Sequence, residues 1–465
     1  MTETELAFAS LADLGVNLRT RTISSVELTT LALKRLARFG PKLNAVVTIM
    51  RARALAAAQR ADDEIASGLD RGPLHGIPYG VKDLLAAKGA PTTWGAAPYK
   101  QQYFDYDATV IKRLDDEGAV LVAKLAMIEL AGGMGYNQAD ATYLGPCRNP
   151  WNTGFWTGGS SSGPGAAVAA GLVPFAIGSE TSGSIVNPST YCGLSGVRPT
   201  YGRVSRHGAM ALSWTLDKLG PMCRSVADAA IVLRAIAGHD PADASSSRRP
   251  PPEPAQAPAR WRLCTIKGAT RKVQPEVAKN FKASLAVLRQ IADIEETTLP
   301  KYPYDAMIGA IIAAEGGAAF RDIIQDGRVQ TLQDPDGRRG GYSYMVTYAV
   351  DYVDAMRERV LLIAALAKLF DRYDAIIAPS FATVALPIGV PFDKAYPGTE
   401  DGPLIPACNL AGIPAIAVPN GAGQHDLPTG LSFVGRAFAE PELLSLAGEF
   451  QARTSWHKKR PRLAT

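Results

Sequence analysis

The stretch from Gly158 to Pro199 constrains this chain more than any other. It reads GGSSSGPGAAVAAGLVPFAIGSETSGSIVNPSTYCGLSGVRP. Two turns rich in small residues, Gly158–Gly163 and Glu180–Ser184, enclose an alanine-rich segment (Ala166–Ala170) and a short apolar run (Leu172–Ile177). The run, bounded by Gly171 and Gly178, predicts a buried strand. Glycine lets the backbone pass close to a ligand and turn its N–H groups toward one point. Ser160 stands in the first turn and Ser184 in the second. A hydroxyl held against converging amides suits acyl transfer, which needs a nucleophile and a hole for the oxyanion. A plain Gly/Ser linker has a similar composition, but a linker is not flanked by core-forming segments.

Taken together, the ordered motifs resemble the amidase signature family. Its usual pattern is GGSSGGS, then a GTDTGGSIR-like block, then a GxKPTxG-like block. Here these read Gly158–Pro164, Gly178–Val186 and Gly196–Gly202. Upstream, Gly76-Ile77-Pro78-Tyr79-Gly80-Val81-Lys82-Asp83 is similar to the block that carries the family's catalytic lysine. Asn149-Pro150-Trp151, Asn409–Ala415 and Pro428–Leu431 match further landmarks, so the resemblance runs over nearly the whole chain.

The resemblance implies an α/β fold: one domain over residues 1–465, with a large central mixed β-sheet flanked by helices. It implies an amidohydrolase that cleaves an amide C–N bond, and aryl esters, anilides or carbamates as well, through a Ser-Ser-Lys triad. Carried over by position, Ser184 is the nucleophile, Ser160 the bridging serine after a cis peptide, and Lys82 the base. The amides of Thr181, Ser182 and Gly183, with that of Ser184, form the oxyanion hole. The Gly132, Gly133 and Met134 segment borders the acyl pocket. No cofactor or metal is implied. The alternative within the same signature is an A-type amidotransferase component that works with partner chains on charged tRNA.

The chemistry is consistent with these residue types. A serine hydroxyl needs a base at neutral pH. A free lysine titrates near ~10.4, so a lysine base has to be buried, which disfavours its charged form. Lys82 follows the apolar, turn-bounded segment Pro73–Val81, which predicts burial. Lys124, after the apolar run Ala119–Ala123, is the competing lysine and reads as structural.

Three departures from the family pattern concern the site. Glu180 replaces the usual Asp, Ser182 the first of two glycines, and Val186 the usual Arg. Losing that arginine removes a cation and predicts neutral or apolar substrates. One competing motif overlaps the first turn. Gly159–Gly163 also fits G-x-S-x-G, the nucleophile elbow, with Ser161 as nucleophile. The residues before it are poor strand formers, and no histidine has a telling context.

Composition narrows the rest. The net charge of +5 is too small to argue for nucleic acid. The resemblance implies small amide, ester or carbamate molecules as partners, with no nucleic acid or membrane, and the chain is expected to be a monomer or homodimer. Five scattered cysteines show no metal spacing and fit a reducing compartment. The N-terminus lacks a basic region followed by an apolar core, and no run of about 18 apolar residues occurs. A cytoplasmic protein without a membrane span is expected. Capping boxes predict helices after Ser24 and Ser225. Residues 245–258 are rich in Ser, Arg and Pro and predict a surface loop. Residues 270–400, with a tyrosine cluster (Tyr342, Tyr344, Tyr348, Tyr352), resemble the family least and are expected to cover the site.

Overall fold

Eleven strands form one mixed sheet in the computed structural model, which describes residues 1–253 and 255–462. In chain order they are β1 (Val46–Ile49), β2 (Pro78–Lys82), β3 (Val120–Leu125), β4 (Phe175–Glu180), β5 (Ser195–Arg198) and β6 (Lys218–Cys223). The others are β7 (Trp261–Ile266), β8 (Ala292–Thr297), β9 (Ala375–Pro379), β10 (Ala415–Ala422) and β11 (Pro428–Val434). Their spatial order is β1-β3-β2-β4-β6-β5-β10-β11-β9-β7-β8. β2 runs parallel to both β3 and β4, β7 parallel to β8 and β9, and the other pairs are antiparallel.

The central strands are apolar on both faces because both faces are covered. Side chains alternate along a strand with period two. Tyr79, Val81, Leu121, Phe175 and Ile177 accordingly join one core, which holds Val232 and Leu233 of the helix Val226–Ile236. Val120, Val122 and Ala176 join a second core with Leu33 and Leu36 of the helix Ser25–Leu43. Both helices start where the sequence predicts. The Ser24 hydroxyl accepts the Glu27 N–H while the Glu27 carboxylate accepts the Ser24 N–H, and the Ser225 hydroxyl accepts the Asp228 N–H.

This topology brings two strand ends together. β2 ends at Lys82 and its parallel neighbour β4 ends at Glu180, so both carboxyl ends open on one edge. Ligand sites in α/β sheets form at such ends. The helix Ser162–Ala169 packs directly beneath, and its small residues are required there. A Cβ on Gly163 would fall 2.3 Å from the Ala126 nitrogen and 2.5 Å from the Ala45 carbonyl oxygen.

The Ser/Arg/Pro-rich stretch 245–258 is a loop in its described part; residue 254 lies outside the described residues. It is pinned by Ser247 N–H on the Gly202 carbonyl and by Arg203 on the Pro250 carbonyl. Among the described residues no helix is long and apolar enough to cross a membrane, and no cluster of metal-ligating side chains occurs. All five cysteines are buried and unpaired.

The contact at Gly163 sets a test. Gly163→Ala is expected to cost about 1–3 kcal/mol through overpacking against backbone, read as a lower urea midpoint. An unchanged midpoint would show that the helix can shift away.

Candidate active site

Lys82 is completely buried at the end of β2. Its Nζ donates to Ser160 Oγ at 2.7 Å and to Ser179 Oγ at 2.8 Å. Burial pushes its pKa down to about 7, against smaller upward contributions from Asp217 and Glu180. A proton-accepting amine therefore exists near neutral pH and touches one of the two expected serines. Gly159–Ser160 is a cis peptide, as the resemblance implies. The peptide is held from both sides: Gly159 N–H donates to Asn187 Oδ1 at 2.9 Å, and the Ser160 carbonyl accepts the Ile128 N–H at 3.2 Å.

Ser184 lies on the adjoining turn, 6 % exposed. Its carbonyl accepts the N–H of Ser161, so the two glycine-rich turns are stitched together one residue beyond Ser160. The Thr181–Ser184 turn leaves its amides available: among the described residues no acceptor takes the N–H of Ser182, Gly183 or Ser184. Gly183 has φ +85°, which requires glycine, whereas Ser182 has no positive φ. The Gly→Ser departure therefore falls on the one of the two positions that any residue tolerates.

The turn is braced from below. The Glu180 carboxylate accepts the N–H groups of Ile185 (2.9 Å) and Val186 (3.0 Å), at the start of the helix Val186–Cys192. It also meets Arg198 at 3.1 Å and Asn409 Nδ2 at 3.0 Å. Burial raises its pKa, but Arg198 and Lys218 together with the two amides outweigh this and hold it at about 2. Glu180 is thus a carboxylate at any working pH. Thr181 Oγ1 donates to Asp217 Oδ1 at 2.6 Å. The arginine that the family pattern places at position 186 is absent here. Val186 packs in an apolar cluster, while Arg198 from β5 pairs with Glu180 and the Lys218 amine from β6, its pKa pushed well down by burial, bonds to Asn409. Arg198 occupies the lysine position of the GxKPTxG-like block, so both partners of this ion pair differ from the family pattern together.

Two cavities open on the turn. One of about 560 Å³ is lined by Gly159, Ser182, Gly183, Asn187 and Trp156, with Phe381 from the region of weak resemblance. The other, about 330 Å³, reaches Ser179, Thr181 and Asp217 from beyond Met210 and Leu212. Ala131 lines the second cavity. Gly132, Gly133 and Met134 stand in the turn that follows it. Gly132 sits under the Tyr136 ring, Gly133 abuts Leu212, and Met134 is buried against Gly340 and Gly341.

Ser161 is spent structurally. Its hydroxyl donates to the Ser179 carbonyl and accepts the Ser179 N–H, and no histidine is among its partners. Lys124 is the structural lysine expected, bound to Asp83 at 2.8 Å with both groups fully buried. The sequence reading missed Ser179, Asn187 and the Asp217-Lys218 pair. Two adjacent charges opening the apolar run Leu219–Cys223 were the available signal for the last.

The amidase family's sequence model matches residues 27–444. The chain belongs to the amidase signature family. A curated relative, the A-type component of glutamyl-tRNA(Gln) amidotransferase from Roseiflexus sp. (strain RS-1), is 39 % identical, over 95 % of either chain. The native peptide amidase of Stenotrophomonas maltophilia superposes with a TM-score of 0.87 at 30 % identity, covering 99 % of this chain and 100 % of that one. A protein from a vestigial complex bearing on the origins of an s-triazine catabolic enzyme gives 0.87 at 29 % identity, covering 96 % and 98 %. As in other members of the amidase signature family, the sheet is one large mixed sheet with helices on both faces.

A lysine base at this position carries a pH dependence that can be measured. Burial lowers its pKa, so the neutral base is lost as pH falls through about 7. About a tenth of Lys82 is neutral one unit below that value. The kcat/KM profile for a neutral amide is expected to rise between pH 6 and pH 8 on a limb near 7. A profile flat across this range would contradict a titrating lysine base.

Proposed function

We propose that this protein cleaves a C–N amide bond through an acyl-enzyme on Ser184. The observation that carries the reading is the buried Lys82 amine, 2.7 Å from Ser160 Oγ and depressed to about 7. Lys82 takes the Ser160 proton while Ser160 takes that of Ser184. Ser184 Oγ then bonds to the substrate's carbonyl carbon, and its oxygen takes up negative charge against the amides of Thr181, Ser182, Gly183 and Ser184. The C–N bond breaks as the relay returns the proton to the departing nitrogen. Water then adds to the acyl ester, the C–Oγ bond breaks, and a carboxylic acid leaves with Ser184 restored. No step needs a metal or cofactor.

Both cavities admit a substrate side chain at this turn. The 560 Å³ cavity carries the aromatic rings of Tyr136, Trp156 and Tyr191 beside Asp305, Glu400 and Asp401, with no lysine or arginine among its described lining, which suits neutral rather than acidic amides, aryl esters or carbamates. Residues 270–400 act as its cover, contributing Asp305, Phe381, Phe392 and Tyr396 to the lining. On this reading the chain is a single functional unit acting on small molecules.

The same chemistry has a second setting, which the sequence comparisons support more strongly. The curated relative at 39 % identity bears the name of an amidotransferase component. In that setting the ammonia released at Ser184 serves partner chains acting on charged tRNA, and a full reaction needs those chains. The two settings separate on the purified chain alone. Free-standing activity predicts turnover of aryl amides, esters or carbamates, lost by at least about 1,000-fold in Ser184→Ala. Turnover of glutamine alone, rising on addition of partner chains, would select the second setting. A Ser184→Ala variant with full activity would overturn both.

A further inference from the structure

Lys218 is a second fully buried lysine at this site, and nothing in the relay uses it. It opens β6 directly opposite Glu180 of β4, so the two side chains share one face of the sheet. Its Nζ donates to Asn409 Oδ1 at 2.7 Å and to the Thr181 carbonyl at 3.4 Å. Asn409 in turn donates to Glu180. One connected network thus ties the strand end before the turn to the helix after it.

The Thr181 contact has a geometric consequence. The Thr181–Ser182 peptide is trans, since Gly159–Ser160 is the only cis bond among the described residues. The C=O and N–H of a trans peptide lie in one plane and point in opposite directions. A donor that holds the Thr181 carbonyl on the sheet side therefore fixes the Ser182 N–H on the other side. That N–H meets no acceptor among the described residues, and Ser182 lines the 560 Å³ cavity. The Asp217–Thr181 hydroxyl bond fixes the same residue from its side chain.

Resting on the acyl-enzyme reading above, we propose that Lys218 is a positioning residue for the oxyanion site: it aims the Ser182 N–H into the cavity by holding the Thr181 carbonyl. Lys218 touches no substrate; it acts through the peptide. The role asks for a donor at this point and not for a charge, so it is independent of the protonation of the amine.

The test uses the full chain, with active sites titrated by a sulfonyl fluoride and phenylboronic acid as mimic of the tetrahedral adduct. Lys218→Met removes the donor and keeps the stem. Losing an oxyanion donor costs about 100- to 1,000-fold, and misaiming one is expected to lower kcat per titrated site by about 10- to 100-fold. The boronate inhibition constant should rise by the same factor, while KM stays within about twofold. Lys218→Gln, which keeps an N–H donor on a shorter reach, should recover part of both losses. If Lys218→Met does not fold, Lys218→Gln against wild type carries the test on the same readouts. A kcat per site within about twofold of wild type, or a loss seen only as fewer titratable sites, would overturn the proposal. Failure of the wild-type chain to form a boronate adduct would instead overturn Ser184 as nucleophile.

Discussion

The site depends on the withdrawal of one amine from water. Leaving a lysine in the interior is costly unless it is paired or neutral. Lys82 is placed there by β2, whose apolar residues are covered on both faces, and it has two hydroxyls rather than a carboxylate to bind. Without an ion-pair partner in contact, burial dominates and the amine becomes a base near neutrality. Lys124 shows the contrast: equally buried, it bonds directly to Asp83 and serves structure. Two lysines of one sheet thus sit in different settings, one with a carboxylate in contact and the other with hydroxyls.

A second layer of buried polar groups lies under the Thr181–Ser184 turn. Glu180 pairs with Arg198, Asn409 links Lys218 to Glu180, and Asp217 accepts the Thr181 hydroxyl. A buried charge is tolerated when hydrogen bonds compensate it, and Glu180 accepts from Arg198, Asn409 and two backbone amides. The consequence is rigidity where catalysis needs it. The ends of the Thr181–Ser184 turn are fastened below, and its amides are left facing open space. This arrangement also explains how the chain accommodates a glutamate and a valine at positions where the family uses an aspartate and an arginine.

The fold and the two glycine-rich turns were legible in the sequence for particular reasons. Small residues in Gly158–Pro199 record backbone contacts as close as that of Gly163 with Ala126, and such contacts leave few alternatives. The helix starts at Ser24 and Ser225 were read correctly because their signals are local. What the sequence did not reveal is built from long-range partners. Ser179 gains meaning only when β4 lies beside β2, and Lys218 only when β6 lies beside β4. Gly132, Gly133 and Met134 follow the cavity-lining Ala131 after a turn with positive φ at Leu130 and Ala131, a geometry set by the fold around it. The tyrosine cluster divides in the same way: Tyr352 bonds to Glu315, whereas Tyr348 is 74 % exposed.

The most direct test of the account is the identity of the residue that takes an acyl-like electrophile. The purified chain would be treated with a fluorophosphonate and the modified peptide located by mass spectrometry. The account predicts a single adduct on Ser184, formed slowly or not at all when Lys82 is replaced by methionine. An adduct on Ser161, or labelling of Ser184 at an undiminished rate without Lys82, would contradict it.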